Sequence, residues 1–494
     1  MHDTEMKEQW MESMNKEIEE LEKKEVWEIV PIQVALDLFE QVVPSTWTLR
    51  YKRYPDGSIK KCKARFCMRG DLQNDTETVY SPVVAFSTVR LFLTLSLVLG
   101  WETCTIDFSN AFVQAKLQSP VYLHLPRGFM SPIKGKCCLK LKRSLYGSCY
   151  APKLWFEHLF KFLIDEEKFI QSEHDQCLLY KPNMIVIIYV DDAGITAPSM
   201  AIIDAFLDRL KDGGFDLTKE GSFSEYLGIQ YDEHEGSITM TQKGLINKII
   251  ATAGMEECNP NKTPTQGGAL AMDPEGEHMT DAWSYRSIVG MLLYLACNTR
   301  PDIVFAVSQV ARFSHEPKKS HATAVKAIIR YLKGSNDQGT VFKHSNNLDI
   351  KCFVDADFSG LFNQDPPEES SSAKSRTGYI ISVGDCYLLS KSQLQTTISL
   401  STSEAEYYAL SQAMRAVIPI RALVMEVVMN LALTKFYEKG SHSIKTIMYE
   451  DNSSALSLAT NHQVTSRTKH YLVKWHFFWS HIKTKTNPDG TILI

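Results

Sequence analysis

The sequence has no Cys-x-x-Cys pair among its 11 cysteines, and that count is odd. A disulfide framework or a thiolate zinc module is therefore not expected, and reduced thiols in an intracellular setting fit better. Long apolar runs are also missing. The best candidates, around Leu91–Leu99 and Val289–Ala296, are too short to span a membrane and read as buried core. No internal repeat or long low-complexity tract appears. There is no excess of positive charge: 53 basic residues face 58 acidic ones, for a net charge of −5. No global field announces a polyanion partner, so nucleic-acid binding would need a local basic stripe. Met1–Trp10 is charged and unlike a secretory signal.

What is there describes a folded chain. It has 494 residues, 44% hydrophobic and 22% charged, enough for roughly three domains. Glu8–Trp27 has helical apolar spacing and reads as an amphipathic helix. Trp47, Leu49 and Tyr51 alternate toward Tyr54-Pro55-Asp56-Gly57-Ser58, a hairpin signal. Around that turn lies the densest basic stripe, Arg50, Lys52, Arg53, Lys60, Lys61, Lys63, Arg65 and Arg69, against the single acid Asp56. Strand alternation puts Lys61, Lys63 and Arg65 on one face, and a merely solvated hairpin face is the bland alternative.

Helices are expected at Thr88–Leu99, Pro152–Glu166, Ile202–Lys211, Gln242–Ala253, Tyr285–Cys297 and Ala322–Leu332, the last with Gly334 as its C-cap. Asn259–Glu277 reads as a linker, and the acidic, Pro- and Ser-rich Phe362–Ser375 as a mobile loop. Strands at Leu348–Val354, Thr377–Val383 and Cys386–Ser390, then a helix from Ser403, give a β-β-β-α start to a last domain.

The chemistry is carried by acids. Ile185–Val190 is an apolar run that ends in Asp191-Asp192. Adjacent carboxylates in a low-dielectric setting repel, and a divalent cation resolves the conflict. Oxygen-only ligands suit Mg²⁺ or Mn²⁺. Asp107 ends another short strand, Cys104–Asp107, and is a natural third ligand if the two strands are neighbours. Three carboxylates around two ions form the arrangement used for nucleotidyl transfer. A plain hairpin turn at Asp191-Asp192 is the alternative.

The order of motifs resembles the reverse transcriptase of copia-type LTR retrotransposons. Lys63-Ala64-Arg65-Phe66, Tyr80-Ser81-Pro82-Val83-Val84, Asp107-Phe108-Ser109-Asn110-Ala111-Phe112, Leu145-Tyr146-Gly147 and Tyr189-Val190-Asp191-Asp192 all look like that family. So do Tyr226-Leu227-Gly228-Ile229, Thr299-Arg300-Pro301-Asp302 and Arg330-Tyr331-Leu332-Lys333-Gly334. Val354-Asp355-Ala356-Asp357, Ser403-Glu404-Ala405-Glu406-Tyr407 and Arg467-Thr468-Lys469-His470 extend the likeness into the RNase H region.

The resemblance implies an α/β (α+β) right-hand polymerase followed by an RNase H-like domain. The expected division is a lead-in at 1–46, fingers and palm at 47–232, thumb and connection at 233–346, and the RNase H-like part at 347–494. It implies an RNA-directed DNA polymerase with two Mg²⁺ or Mn²⁺ ions at Asp107, Asp191 and Asp192. Lys63, Arg65 and Gly147 would serve the nucleotide, and Phe112 would exclude a ribose 2′-hydroxyl. Leu227 and Gly228 would support the primer strand, and Asp355, Glu406 and Asp451 would be RNase H acids, with Glu404 an alternative to Glu406. His470 and His476 match family positions, although packed or exposed histidines are commoner than ligands.

The implied partners are an RNA template, a DNA primer, an RNA–DNA hybrid and deoxynucleoside triphosphates, with no membrane. Protease and integrase would lie upstream in an intact polyprotein. The implied setting is a cytoplasmic virus-like particle, or the nucleus.

Three departures bear on activity. Cys149-Tyr150 stands where the family has a polar pair, Leu472 where it commonly has an acid, and the segment that would carry a fourth RNase H acid is not in this sequence. An impaired RNase H-like site is therefore expected. A decayed remnant that folds and binds nucleic acid without polymerising is the competing reading. A nucleotidyl cyclase is a weaker one, since it leaves the C-terminal acids unexplained.

Overall fold

In the computed structural model every residue is described except 1, 54–58, 75–78, 130–132, 266, 363, 367–368, 437–443, 462–468, 470–471 and 474–475. The strand Met184–Tyr189 shows why its sequence is a continuous apolar run: Val186 and Ile188 enter one core and Ile185 and Ile187 another. It lies in a six-stranded antiparallel sheet. The spatial order is Leu217–Gly221, Glu102–Phe108, Asp192–Ala197, Met184–Tyr189, Leu178–Lys181 and Ile170–Gln171. Helices Ala151–Asp165 and Met200–Asp212 cover one face through Trp155, Leu159, Phe206 and Leu207. Helix Phe86–Leu99 covers the other through Leu91 and Leu95.

Beside this palm-like sheet stands the basic hairpin, Ser45–Arg53 paired with Ile59–Met68, its turn outside the described residues. The N-terminal helix His2–Lys23 lies along it. Ser13 Oγ accepts from the Ala64 amide at 2.9 Å, and Glu17 Oε1 from that of Phe66 at 3.3 Å. Helix side chains thus satisfy donors that an exposed strand edge would leave open. The helix stops at Lys23, short of the expected Trp27, because Trp27 opens the strand Trp27–Pro31 and packs with Leu21 and Phe66.

The second half begins with the sheet Glu225–Tyr226, Ile229–His234, Ser237–Thr241 and Thr340–Lys343. Helices Lys243–Thr252, Tyr285–Asn298, Val304–Ala311 and Lys319–Gly334 share one apolar core. Two of the family-like motifs meet here in a single network. Buried Arg300 donates to Asp302 at 2.8 Å and to the Ser335 carbonyl at 2.8 Å, and the Tyr331 hydroxyl donates to Asp302 at 2.7 Å. Gly334 is not the left-handed C-cap expected of it, because the helix runs through it. A Cβ there would stand 2.8 Å from Pro260 Cβ, so glycine serves close packing against the linker.

The last sheet has the order Cys386–Leu394, Arg376–Val383, Ile350–Asp357, Thr446–Tyr449, Ile492–Leu493. Its first three strands are antiparallel, and the last two run parallel to Ile350–Asp357, with the 29-residue helix Thr402–Asn430 packed against the sheet. This is an RNase H-like topology.

The segment Phe362–Ser375 corrects the expectation of a mobile loop for its described residues. The Asp365 side chain is fully buried, accepts from the Met272 amide at 2.6 Å and pairs with Arg312 at 3.5 Å, and Ser370–Ala373 forms a 3-10 turn. A buried carboxylate requires such partners, and they fix the segment. All 11 cysteines are free, and no helix among the described residues is long and apolar enough to cross a membrane.

One buried arginine ties the regions together. Arg90, on helix Phe86–Leu99, donates to the carbonyls of Cys297, Asn298 (3.0 Å) and Leu388 (2.7 Å). Across the same seam, Glu426 of the long helix accepts from the Ser172 hydroxyl at 2.7 Å and the Tyr180 hydroxyl at 2.9 Å.

Candidate functional sites: two acidic centres

In the palm-like sheet Asp192 pairs directly with Asp107 across adjacent strands. The Phe108 amide donates to the Asp191 carbonyl at 2.8 Å. That bond makes Asp107–Asp192 a pair of the non-hydrogen-bonded kind, with Cα atoms about 4.5 Å apart and side chains on the same face. Tyr189 and Asp192 close a two-residue turn in which Val190 has φ of 59°. A β-branched residue is strained there, and such strain persists only when neighbours impose it. Trp155 Nε1, donating to the Val190 carbonyl at 2.6 Å, is one of those neighbours. Burial, then the charges of Asp191 and Asp107, pushes the Asp192 carboxyl up to about 7, with Glu220 and Glu225 adding to the rise. Oxygen-only donors this crowded with like charge fit a hard divalent cation.

The hairpin meets this centre through Tyr146. The Arg65 guanidinium lies 4.3 Å from the Tyr146 ring centroid, and Phe112 meets the same ring edge-on at 5.2 Å. Burial pushes the Tyr146 phenol up to about 12, with Asp191 and Asp107 contributing. Phe112 packs at the seam between the palm core and the hairpin core. Lys63 follows the alternation of Arg65, and both are within electrostatic reach of Glu17. Gly147 has φ of 83°, and a Cβ there would stand 2.1 Å from the Met68 carbonyl. The Met68 amide donates to the Tyr146 carbonyl at 2.8 Å, and that of Gly70 to the Gly147 carbonyl at 3.1 Å. Gly147 thus lets the two backbones fasten together. Beside it, Cys149 Sγ donates to the Gly70 carbonyl at 3.2 Å, so the departure at this position is absorbed by the same junction.

Leu227 and Gly228 form a two-residue turn with φ of 54° and 71° between the paired Tyr226 and Ile229. Both central residues take positive φ, as tight hairpin turns require. The Tyr294 hydroxyl donates to the Leu227 carbonyl at 2.9 Å and braces it from the helical half.

The second centre is tighter. Asp355, Glu406 and Asp451 each offer an oxygen within 4.8 Å of the others, the only such trio among the described residues. Asp355 comes from the central strand, Glu406 from the first turns of the long helix, and Asp451 from just after Thr446–Tyr449. Glu404 is not an alternative ligand. It accepts from the Leu400 amide at 2.9 Å while the N-cap Ser401 Oγ accepts from its own amide, so its carboxylate is engaged at the helix N-terminus.

Burial, then Glu450, Asp355 and Asp451, raises the Glu406 carboxyl to about 8. Glu450 is the residue that sequence reasoning passed over. It too is raised, to about 7, by burial and then by Asp451 and Asp355. The available signal was adjacent acids after an apolar strand, the same one that marks Asp191-Asp192. Leu472 is fully buried in the core. His476 Nδ1 contacts the Leu472 carbonyl and its ring packs on Trp479, while His470 lies outside the described residues.

Residues 24–267 match the family model "Reverse transcriptase (RNA-dependent DNA polymerase)". The chain is 29% identical over 484 residues to the "Retrovirus-related Pol polyprotein from transposon RE1" of Arabidopsis thaliana, covering 97% of this chain and 31% of that protein. It is 29% identical over 488 residues to the corresponding polyprotein from transposon TNT 1-94 of Nicotiana tabacum, covering 95% and 35%. The chain thus spans about a third of the length of these relatives. A solved structure, the foamy viral protease-reverse transcriptase in complex with an RNA/DNA hybrid, aligns at 13% identity with a TM-score of 0.48, over 97% of this chain and 53% of that one. The family match and the relatives aligned along nearly the whole chain agree with the ordered motifs: residues 24–267 belong to the reverse transcriptase family, in a chain that is similar to copia-type Pol polyproteins along nearly its whole length.

Proposed function

We propose that this chain is the RNA-directed DNA polymerase of a copia-type retrotransposon, extending a DNA primer on an RNA template with deoxynucleoside triphosphates. The register of Asp192 against Asp107, with Asp191 in the adjoining turn, carries the reading. These acids would hold two Mg²⁺ or Mn²⁺ ions, which when bound activate the attacking hydroxyl and neutralise charge on the leaving pyrophosphate. The strained turn at Val190, held by Trp155, fixes Asp191 and Asp192 relative to Asp107. Arg65, over the Tyr146 ring, offers a flat, permanent positive charge suited to a triphosphate, and Lys63 extends that charge along the strand. Phe112, braced by the same Tyr146 ring, is a rigid plane that would crowd a 2′-hydroxyl. The Leu227-Gly228 turn would support the primer.

The second centre, Asp355, Glu406 and Asp451, fits hydrolysis of the RNA strand of an RNA–DNA hybrid. Leu472, fully buried, brings no carboxylate to it, and weak hydrolysis is the corresponding expectation.

Primer extension on an RNA template with Mg²⁺ or Mn²⁺ tests the reading. Asp191→Asn should lower extension by about 100-fold or more while leaving template binding intact. Undiminished extension by Asp191→Asn would remove the metal role. Binding without extension by the wild type would favour the remnant.

A further inference from the structure

We propose that Glu450 is a fourth carboxylate ligand of the divalent-cation centre formed by Asp355, Glu406 and Asp451, an inference that rests on reading that trio as a metal centre. Glu450 is 9% exposed. Its Oε1 accepts from the Asn452 amide at 3.1 Å, but its Oε2 is buried with no hydrogen-bond partner. Glu406, 7% exposed, has the same defect at its own Oε2. An ionised oxygen buried without a partner is costly, and a glutamate kept only for structure would be expected to have both oxygens bonded.

The Glu450 oxygens lie outside the mutual 4.8 Å spacing of the trio, so a cation would have to draw them in. Asp355, Glu450 and Asp451 line one open cavity of about 580 Å³. A cation among the four carboxylates would satisfy two orphaned oxygens, one from the long helix and one from the strand end. Leu472, fully buried, offers no competing ligand. The charge balance favours the same outcome, since more anionic ligand is needed as more dication charge is held.

The test is Mn²⁺ binding to the full chain carrying Asp192→Asn, which weakens the palm centre, read by the electron paramagnetic resonance of free Mn²⁺ and by thermal unfolding. Adding Glu450→Gln should weaken the remaining Mn²⁺ site by about tenfold or more. Without metal, its Tm should equal or exceed that of the parent, because a buried charge is removed and the amide oxygen still accepts from Asn452. Unchanged Mn²⁺ affinity in Glu450→Gln, with loss of binding in Asp451→Asn, would overturn the inference and leave the metal centre standing. Binding untouched by Asp451→Asn as well would sink the metal reading itself. Glu450→Cys covers the case in which Glu450→Gln does not fold. A thiolate ligand should shift preference from Mn²⁺ toward Cd²⁺ relative to the parent, and no shift would count against ligation.

Discussion

Asp191-Asp192 and Glu450-Asp451 are both adjacent acids at the end of an apolar strand, Met184–Tyr189 in the palm and Thr446–Tyr449 in the C-terminal sheet. Around the palm pair, the third acid arrives on an antiparallel neighbour in direct register. Around the C-terminal pair, Asp355 comes from a parallel neighbour and Glu406 from a helix that crosses the sheet. Only the C-terminal trio has its ligand atoms within 4.8 Å of one another among the described residues. The palm acids are partly exposed and two of them ride on a strained turn, whereas Glu406 and Glu450 are buried with orphaned oxygens. Supports from two strands and a helix bring the C-terminal ligand atoms within 4.8 Å of one another, a convergence that a hairpin tip and its neighbouring strand do not reach in the palm.

The sharpest way to break this comparison is to disable each centre separately. Asp192→Asn should lower primer extension by about 100-fold or more and leave the weak hybrid-directed RNA cleavage at its wild-type level, while Asp451→Asn should abolish that cleavage and leave extension intact. Both reactions falling together in either variant would mean that the centres are not independent. A smaller effect is expected at the palm rim. Phe112→Val should raise ribonucleotide incorporation relative to deoxynucleotide by about tenfold, measured as the ratio of kcat/KM values, and an unmoved ratio would leave Phe112 a packing residue between two cores. The smallest effect separates a cap from a ligand. Glu404→Ala should destabilise the chain by about 1 kcal/mol in denaturant unfolding without altering Mn²⁺ affinity, and a change in affinity would return Glu404 to the candidate ligands.

Asp191-Asp192 was legible in sequence because two acids ending an apolar run contradict their surroundings. Asp107 was legible only through the supposition that its strand is a neighbour, which the register bears out. Glu450 carries the same local signal, but the resemblance to the family marks Asp451 alone. Glu404 and Glu406 could not be separated by sequence, since both fall in the first turns of one helix. The capping bond to Leu400 is a matter of backbone geometry. Gly334 misled for a related reason, because a helix-ending glycine and a glycine needed for close approach look alike in sequence. The segment Phe362–Ser375 reads as solvent-loving by composition, and what anchors it is a distant arginine, Arg312, that no local pattern reveals.

Arg90 bears on how the molecule comes apart. Its guanidinium bonds to carbonyls from the end of helix Tyr285–Asn298 and from the strand Cys386–Leu394 while its backbone sits in the palm. Three stretches of chain that a linear map would draw as separate domains therefore share one buried cation. The apolar core around it also runs without a break from Leu91 through Phe342 to Val424. Separating any one of them takes acceptors away from that buried charge, which couples the unfolding of the palm to that of the connecting helices and the C-terminal sheet.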